Sequence, residues 1–352
     1  MNHLDILLPF GLPQADMARE LLRQCQAPAL ATLLARGQNG ESSRSFDAFS
    51  RGLPHEHWIS GQFGLIAAQA DERGNSPPAA AALLRKHDPQ LQQGHWFIVQ
   101  PAHIHVARDH LVLTDIAQLA LAETESRRFF ASAQRLFEEI GRSLIYLNAS
   151  TWLMRADDWA GLRTSSPHAA SGRNIDIWMP SGPGELAWRK LQNEVQMQWF
   201  ADALNEQRES SGLKPVNSLW LWGGADAAAF AANAANPYQG CFNLHDWPQT
   251  LCADWLSACG PGDVLSMTGE RGLLLLDTLL EPGLTSEWGL WLQGMETLDR
   301  EWFAPLMHAL RCKRLHSLTL VLSGQDRLLQ RNLTAASLRK FWVRPSLSHL
   351  AG

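Results

Sequence analysis

Residues 193–224, NEVQMQWFADALNEQRESSGLKPVNSLWLWGG, constrain the fold of this chain more than any other stretch. They read as a helix, a glycine break, a proline start, an apolar strand and a Gly-Gly stop. That order is half of a βαβ unit, and a strand running into a glycine pair is where open α/β sheets place ligands. Leu191, Val195 and Trp199 recur at i, i+4 and i+8, so a long helix over about 185–210 carries a buried stripe. Further apolar strands follow at 272–280 and 317–322, separated by helical patterns near 248–259 and over 288–310. Strands that are nearly all apolar, alternating with helices, predict a mainly parallel sheet with helices on both faces.

The N-terminal part fits the same core. A short strand at 4–10 precedes helices at 15–25 and 29–36, a polar stretch at 38–61, a turn at 74–78 and an Ala-rich helix to about 86. Between them the texture changes. Residues 95–114 hold two alternating β segments around Pro101 and Arg108-Asp109, which predict a hairpin or meander. An amphipathic helix at 123–140 and short strands at 144–153 and 175–179 complete an α+β pattern. This predicts an inserted subdomain at 92–182, with the core formed by 1–91 and 183–352.

Hydrophobic residues make up 45% of the chain and charged residues 18%, which is a globular balance. The longest apolar run, near 273–280, is far short of a bilayer span. The N-terminus lacks a basic region and reads as a strand, not a signal peptide. Five cysteines without a CxxC pair argue against a disulfide framework or a zinc site, and for a reducing cytoplasmic setting. Fifteen Trp against two Tyr, mostly among aliphatic residues, point to bulky core packing; a stacking surface for bases or sugars is the alternative. Charge is uneven. From Arg311 onward eight Lys and Arg face one acid, Asp326, a local +7 on a chain of net charge −5, so the first 310 residues carry −12. Such an end either docks on an acidic body or meets phosphate or nucleic acid.

Several residues carry candidate chemistry. Asn205 and Arg208 lie three apart and share a helix face, and Asn217 precedes the strand. An amide and a guanidinium there suit an anion; the competing reading is that Arg208 pairs with an acid and Asn217 caps a turn. His103-x-His105 on a strand and His55-Glu56-His57 in a loop are two-His patterns without a third ligand at fixed spacing, more in keeping with partly exposed histidines. Thr164, Ser165 and Ser166 precede His168, but sequence adjacency does not make a nucleophile–base pair. Glu296 and Asp299, three apart on a helix, suit surface or interhelix pairing. The spacings of a nucleotide-binding glycine loop are absent.

The run NEVQM, then Asn205-x-x-Arg208, then GLKPVNSLWLWGG resembles a segment of archaeal-type cofactor-independent phosphoglycerate mutases, of the alkaline phosphatase superfamily. PALATLLARG at 28–37 is similar to one of their helices. Over most of its length the chain is closer to a bacterial family labelled RpfE-type regulatory proteins, through 102–113, 172–183, 288–306, LSGQDRLL and LRKFW. The mutase resemblance implies a two-metal site of aspartates and histidines and a phosphoryl-accepting hydroxyl. In that pattern the first strand ends in Asp-Gly, where this chain has Phe10-Gly11. A late strand carries Asp and then Gly-His. Asp277 stands here, with no His before Trp288. The last strand ends in Asp-His, where this chain has Ser323-Gly324-Gln325-Asp326. One surviving carboxylate does not hold two hard ions.

The expected fold is therefore α/β of alkaline phosphatase type. The first expected function is a non-catalytic, cytoplasmic regulatory protein without metal or cofactor. It would bind a small phosphorylated or carboxylated anion through Asn205, Arg208, Asn217 and Asp277, with no membrane partner. Two alternatives stay open. One is an active metal-dependent phosphomutase or phosphohydrolase with a rearranged site, drawing on Asp277, Asp326 and the HxH pairs. The other is a nucleic-acid or protein interaction module using the basic C-terminal region.

Overall fold

The computed structural model describes residues 1–66, 73–107, 110–228 and 236–351; the turn expected at Arg108-Asp109 lies outside them. Contacts divide the chain into two units. The first is Met1–Ala48, Leu53–Phe63 and Ala235–Gly352; the second is Phe49–Gly52 and Gly64–Ala234. No helix among the described residues is long and apolar enough to cross a membrane.

The chain begins in the first unit with β1, His3–Leu8, buried from Leu4 onward. Helices Ala15–Gln24 and Pro28–Arg36 follow, the second with proline in its first turn, where the missing N–H has no intrahelical partner to lose. Two short strands, β2 at Gln38–Asn39 and β3 at Arg44–Ser45, lead to helix Pro54–Gln62.

In the second unit helix Ala79–His87 precedes β4, His95–Ala102, and the hairpin β5, Ile104–Ala107, with β6, His110–Leu113. Helix Glu123–Glu139 leads to the hairpin of β7, Ser143–Asn148, and β8, Thr151–Arg155. The expected strand at 175–179 is instead a 3-10 turn, Ile175–Ile177, whose start Asn174 caps through its side chain. The expected long helix is two helices, Glu185–Phe200 and Ala203–Ser210; the Asp202 side chain accepts from Leu204 N and starts the second. β9, Ser218–Asp226, closes the unit.

Here the structure corrects the sequence reading. β9 pairs antiparallel with β4 in a sheet ordered β7-β8-β4-β9, not with the parallel sheet. Residues 92–182 lie in this unit together with 64–91 and 183–234. One core joins Phe97, Val99, Leu219 and Leu221 of the sheet to Trp188, Leu191, Val195 and Trp199 of the helix Glu185–Phe200, and to Phe129 and Phe137. Helix Ala79–His87 packs on β9 and β4 as well. A strand covered on both faces is apolar throughout whether its neighbours run parallel or antiparallel, so the SLWLW run could not reveal its pairing.

The chain returns to the first unit with β10, Gly240–Phe242, β11, Trp255–Leu256, and β12, Arg271–Leu275. Helices Leu280–Thr285, Trp288–Leu298 and Ala304–Arg311 precede β13, Ser317–Ser323, and β14, Arg327–Thr334. The eight-stranded sheet runs β11-β10-β12-β1-β13-β14-β2, with β3 also on β14. β11, β10, β12, β1 and β13 are mutually parallel; β14 and its partners are antiparallel. The architecture is thus mixed α/β with a mainly parallel sheet, and β1 lies at its centre.

Cys241 and Cys252 form a disulfide, against the expectation drawn from cysteine spacing. Cys241 lies on β10, and the chain after Cys252 turns back into β11 alongside it. Tertiary pairing of two strands, not a CxxC motif, makes the contact. Cys25, Cys259 and Cys312 are free.

Candidate functional site

In a parallel sheet the ligand side lies beyond the carboxyl ends of the strands. On the first unit those ends are marked by Phe10 after β1, His245 after β10, Asp277 after β12 and Ser323 closing β13. Phe10 sits two residues beyond β1 in the left-handed region, φ 55°, and is buried. Gly11 N donates to Leu8 O and Leu12 N to Ser323 O, which pins the turn. The Phe10 carbonyl accepts from Trp291 Nε1 at 2.7 Å. Its ring packs on Gly283, where a β-carbon would fall 2.4 Å from ring atom Cδ1.

Two side-chain pairs flank that ring. On the β12 side, Asp277 Oδ2 lies 3.6 Å from His245 Nε2, and both side chains are about half exposed (48% and 45%). Asp246 Oδ2 stands 3.8 Å from the same nitrogen. On the β13 side, Ser323 Oγ lies 3.2 Å from His55 Nδ1, both buried. His55-Glu56-His57 is not in a loop: it forms the first turn of helix Pro54–Gln62. Glu56 Oε2 accepts from Leu53 N at 2.7 Å and so caps that helix. Burial pushes the His57 imidazole below its usual pKa, against the pull of Glu56, and its ring lies 5.8 Å from that of Phe46. Asp326 is exposed; its backbone oxygen accepts from Phe46 N.

The sequence missed His245, which lies far from Asp277 in the chain; only the adjacency of β10 and β12 brings them together. It also missed the His55–Ser323 contact, although both residues stood in segments already singled out.

The other expected ligand residues are structural in their geometry. Asn205 Nδ2 donates to Trp199 O and Val216 O, and its Oδ1 accepts from Val216 N. Arg208 is buried; Nε donates to Lys214 O, Nη1 to Glu125 Oε2 at 2.6 Å and Nη2 to Leu119 O. Asn217 exchanges two bonds with the Ile104 backbone, as a strand neighbour would. The three side chains lie in the second unit and Asp277 in the first. An anion approaching Arg208 would have to displace Glu125 and two carbonyls.

The remaining candidates resolve in the same way. His103 and His105 stack with centroids 5.6 Å apart, on one face as spaced; His103 Nδ1 is 2.9 Å from Pro215 O, and burial lowers its pKa. Thr164 and Ser165 bond Asn75 and Arg51, while Ser166 Oγ caps the turn Pro167–Ala170. Asp299 accepts from Ala29 N and Leu30 N and caps helix Pro28–Arg36.

No protein-family model matches the chain, and no curated protein does. Among solved structures, a cofactor-independent phosphoglycerate mutase from Thermoplasma acidophilum DSM 1728 is 15% identical, over 100% of this chain and 94% of that one, at a TM-score of 0.46. The PH0037 protein from Pyrococcus horikoshii is 12% identical, over 95% of this chain and 87% of that one, at a TM-score of 0.53. The second likeness is one of fold; the first superposition is too loose to add to it.

Proposed function

We propose that this chain is a non-catalytic regulatory or ligand-sensing protein on an alkaline-phosphatase-type scaffold like that of the phosphoglycerate mutases, related to the RpfE-type family. The observation that carries this reading is Phe10. Where the mutase pattern has a carboxylate at the end of the first strand, this chain has a buried ring packed on Gly283. The ring occupies the central strand end. Ser323 and Asp277 end strands on either side of it, two strand spacings or about 10 Å apart. A two-metal phosphoryl site needs its ions roughly 4 Å apart with shared ligands between them. These residues do not fit that group.

The ligand-facing part of the reading narrows to Asp277 with His245. A half-exposed imidazole beyond a strand end offers a ring N–H to a phosphorylated or carboxylated anion, with Asp277 3.6 Å away beside it. The test combines metal analysis of protein purified without chelators, turnover of 3-phosphoglycerate and a generic phosphate ester, and calorimetric titration with 3-phosphoglycerate. No stoichiometric Mn, Mg or Zn and no turnover are expected, with anion binding that His245→Ala weakens. A bound metal pair with turnover would sink the reading.

A second reading, phosphoester hydrolysis at a rearranged site, is favoured by one contact: Ser323 Oγ beside His55 Nδ1. It requires turnover that Ser323→Ala abolishes in the same assay.

A further inference from the structure

Among the exposed apolar side chains, Phe341 and Trp342 stand out as neighbours in sequence, 82% and 69% exposed. Their rings meet edge to face, 5.1 Å between centroids. They form the tip of a turn in which Phe341 N donates to Arg339 O and Val343 N to Lys340 O.

That tip is held firmly from both sides. Before it, Ser337 and Leu338 are buried, and Arg36 Nη1 donates to Leu338 O at 2.7 Å. After it, Ser346 N donates to Ala31 O and Leu350 is fully buried. Lys340 Nζ reaches Arg36 O at 3.4 Å. The anchored segment presents both rings to solvent.

The charge around the tip has one sign. Arg339 and Lys340 precede the rings and Arg344 follows them. Arg339 and Arg344 are exposed, and among the described residues no carboxylate pairs with any of the three. Asp326 is the last acid in the chain. Two apolar rings at a fixed tip, bracketed by cations, match the boundary between headgroups and acyl chains. The rings enter the boundary while the cations stay with the phosphates. A single-stranded nucleic acid fits less well: stacking needs successive free ring faces, and here the edge of one ring covers the face of the other.

We propose that the 339–344 tip docks this protein, weakly and reversibly, on an anionic phospholipid surface. The lack of a long apolar run bears on spanning a bilayer, not on resting at its surface.

The test is co-sedimentation of the full chain at low salt with two kinds of vesicle. One holds equal parts phosphatidylglycerol and phosphatidylcholine, and the other phosphatidylcholine alone. Binding to the first only is expected, falling as salt is raised. Arg339→Gln with Arg344→Gln should weaken it roughly 30-fold, from about 1 kcal/mol per cation. Phe341→Ser with Trp342→Ser should abolish it while the thermal unfolding midpoint stays within a degree or so, since exposed sites contribute little to stability. Equal binding to both vesicles, no binding to either, or unchanged binding by the ring variant overturns the proposal. So does binding of a single-stranded oligonucleotide, lost on Trp342→Ser, in the absence of vesicle binding.

Discussion

The ring of Phe10 and the α-carbon of Gly283 are in direct contact, beyond the carboxyl end of the central strand β1. Gly283 lies inside the short helix Leu280–Thr285, where alanine would ordinarily gain up to about 1 kcal/mol in helix propensity. A methyl there meets three atoms of Phe10 at 2.4 to 2.5 Å, and overpacking of this kind costs about 1–3 kcal/mol. The second effect is the larger. Gly283→Ala is therefore expected to destabilise the protein in urea unfolding, and Phe10→Ala with Gly283→Ala to relieve part of that loss. A stabilised single variant would mean that the ring does not sit there.

Arg208 separates a ligand reading from a structural one. Its guanidinium is 1% exposed and its partner Glu125 20%, with two backbone carbonyls taking the other donors. Removing Arg208 leaves Glu125 with only its bond from Ala122 N and leaves those carbonyls without partners, at about 3–5 kcal/mol. Arg208→Ala should lose that much in equilibrium unfolding, and Arg208→Lys nearly as much, since an ammonium cannot span three acceptors in the same plane. Anion affinity should not change in whatever fraction stays folded. A well-folded Arg208→Ala protein with weakened anion binding would restore the ligand reading.

The contrast between Arg208 and His245 shows what the sequence could and could not disclose. Helices such as Glu123–Glu139 and strands β1 and β13 were legible because period and end signals are local. The buried stripe of Leu191, Val195 and Trp199 was legible for the same reason. Partnership was not. Nothing near Arg208 names Glu125, 83 residues away, and nothing near Asp277 names His245. The orientation of β9 was hidden because an all-apolar strand carries no record of its neighbour's direction. The Cys241–Cys252 pairing was hidden because it depends on where β11 returns.

Asp5 gives a pH signature. It is buried on the central strand, between His3 Nε2 at 2.9 Å and Arg271, which approaches within 2.7 Å. Burial alone would raise its pKa, but the hydrogen bond and charge of His3 and the charge of Arg271 outweigh it and hold the carboxyl below the ordinary value of 3.8. A carboxyl depressed on folding adds stability that is fully present above its unfolded pKa. That stability is lost as pH falls through the lower, folded one. Unfolding free energy should thus fall below about pH 4. Asp5→Asn should flatten that acid limb and lower stability near neutrality by roughly 1–3 kcal/mol, because Arg271 loses its carboxylate partner but keeps Gln62 Oε1 and contact with water. An acid limb of unchanged slope in Asp5→Asn would place the sensitivity elsewhere.

The disulfide makes the last prediction. Cys241 and Cys252 are 11 residues apart, and in the chain-entropy view closing so short a loop stabilises by about 3 kcal/mol. Denatured without reductant, the chain should titrate three thiols and not the five its sequence holds. In the native state Cys312, exposed at the end of helix Ala304–Arg311, should be alkylated first. Cys25 should resist, because burial, with Glu296 and Asp299 nearby, pushes its thiol up to about 12. Reduction, or Cys241→Ser with Cys252→Ser, should lower the thermal midpoint by several degrees. It should also speed amide exchange in β11, a two-residue edge strand with both side chains exposed. Five titrating thiols in the unreduced, denatured protein would show that the bond does not form. The loop from Cys252 to β11 would then rest on the pairing of β10 with β11 alone.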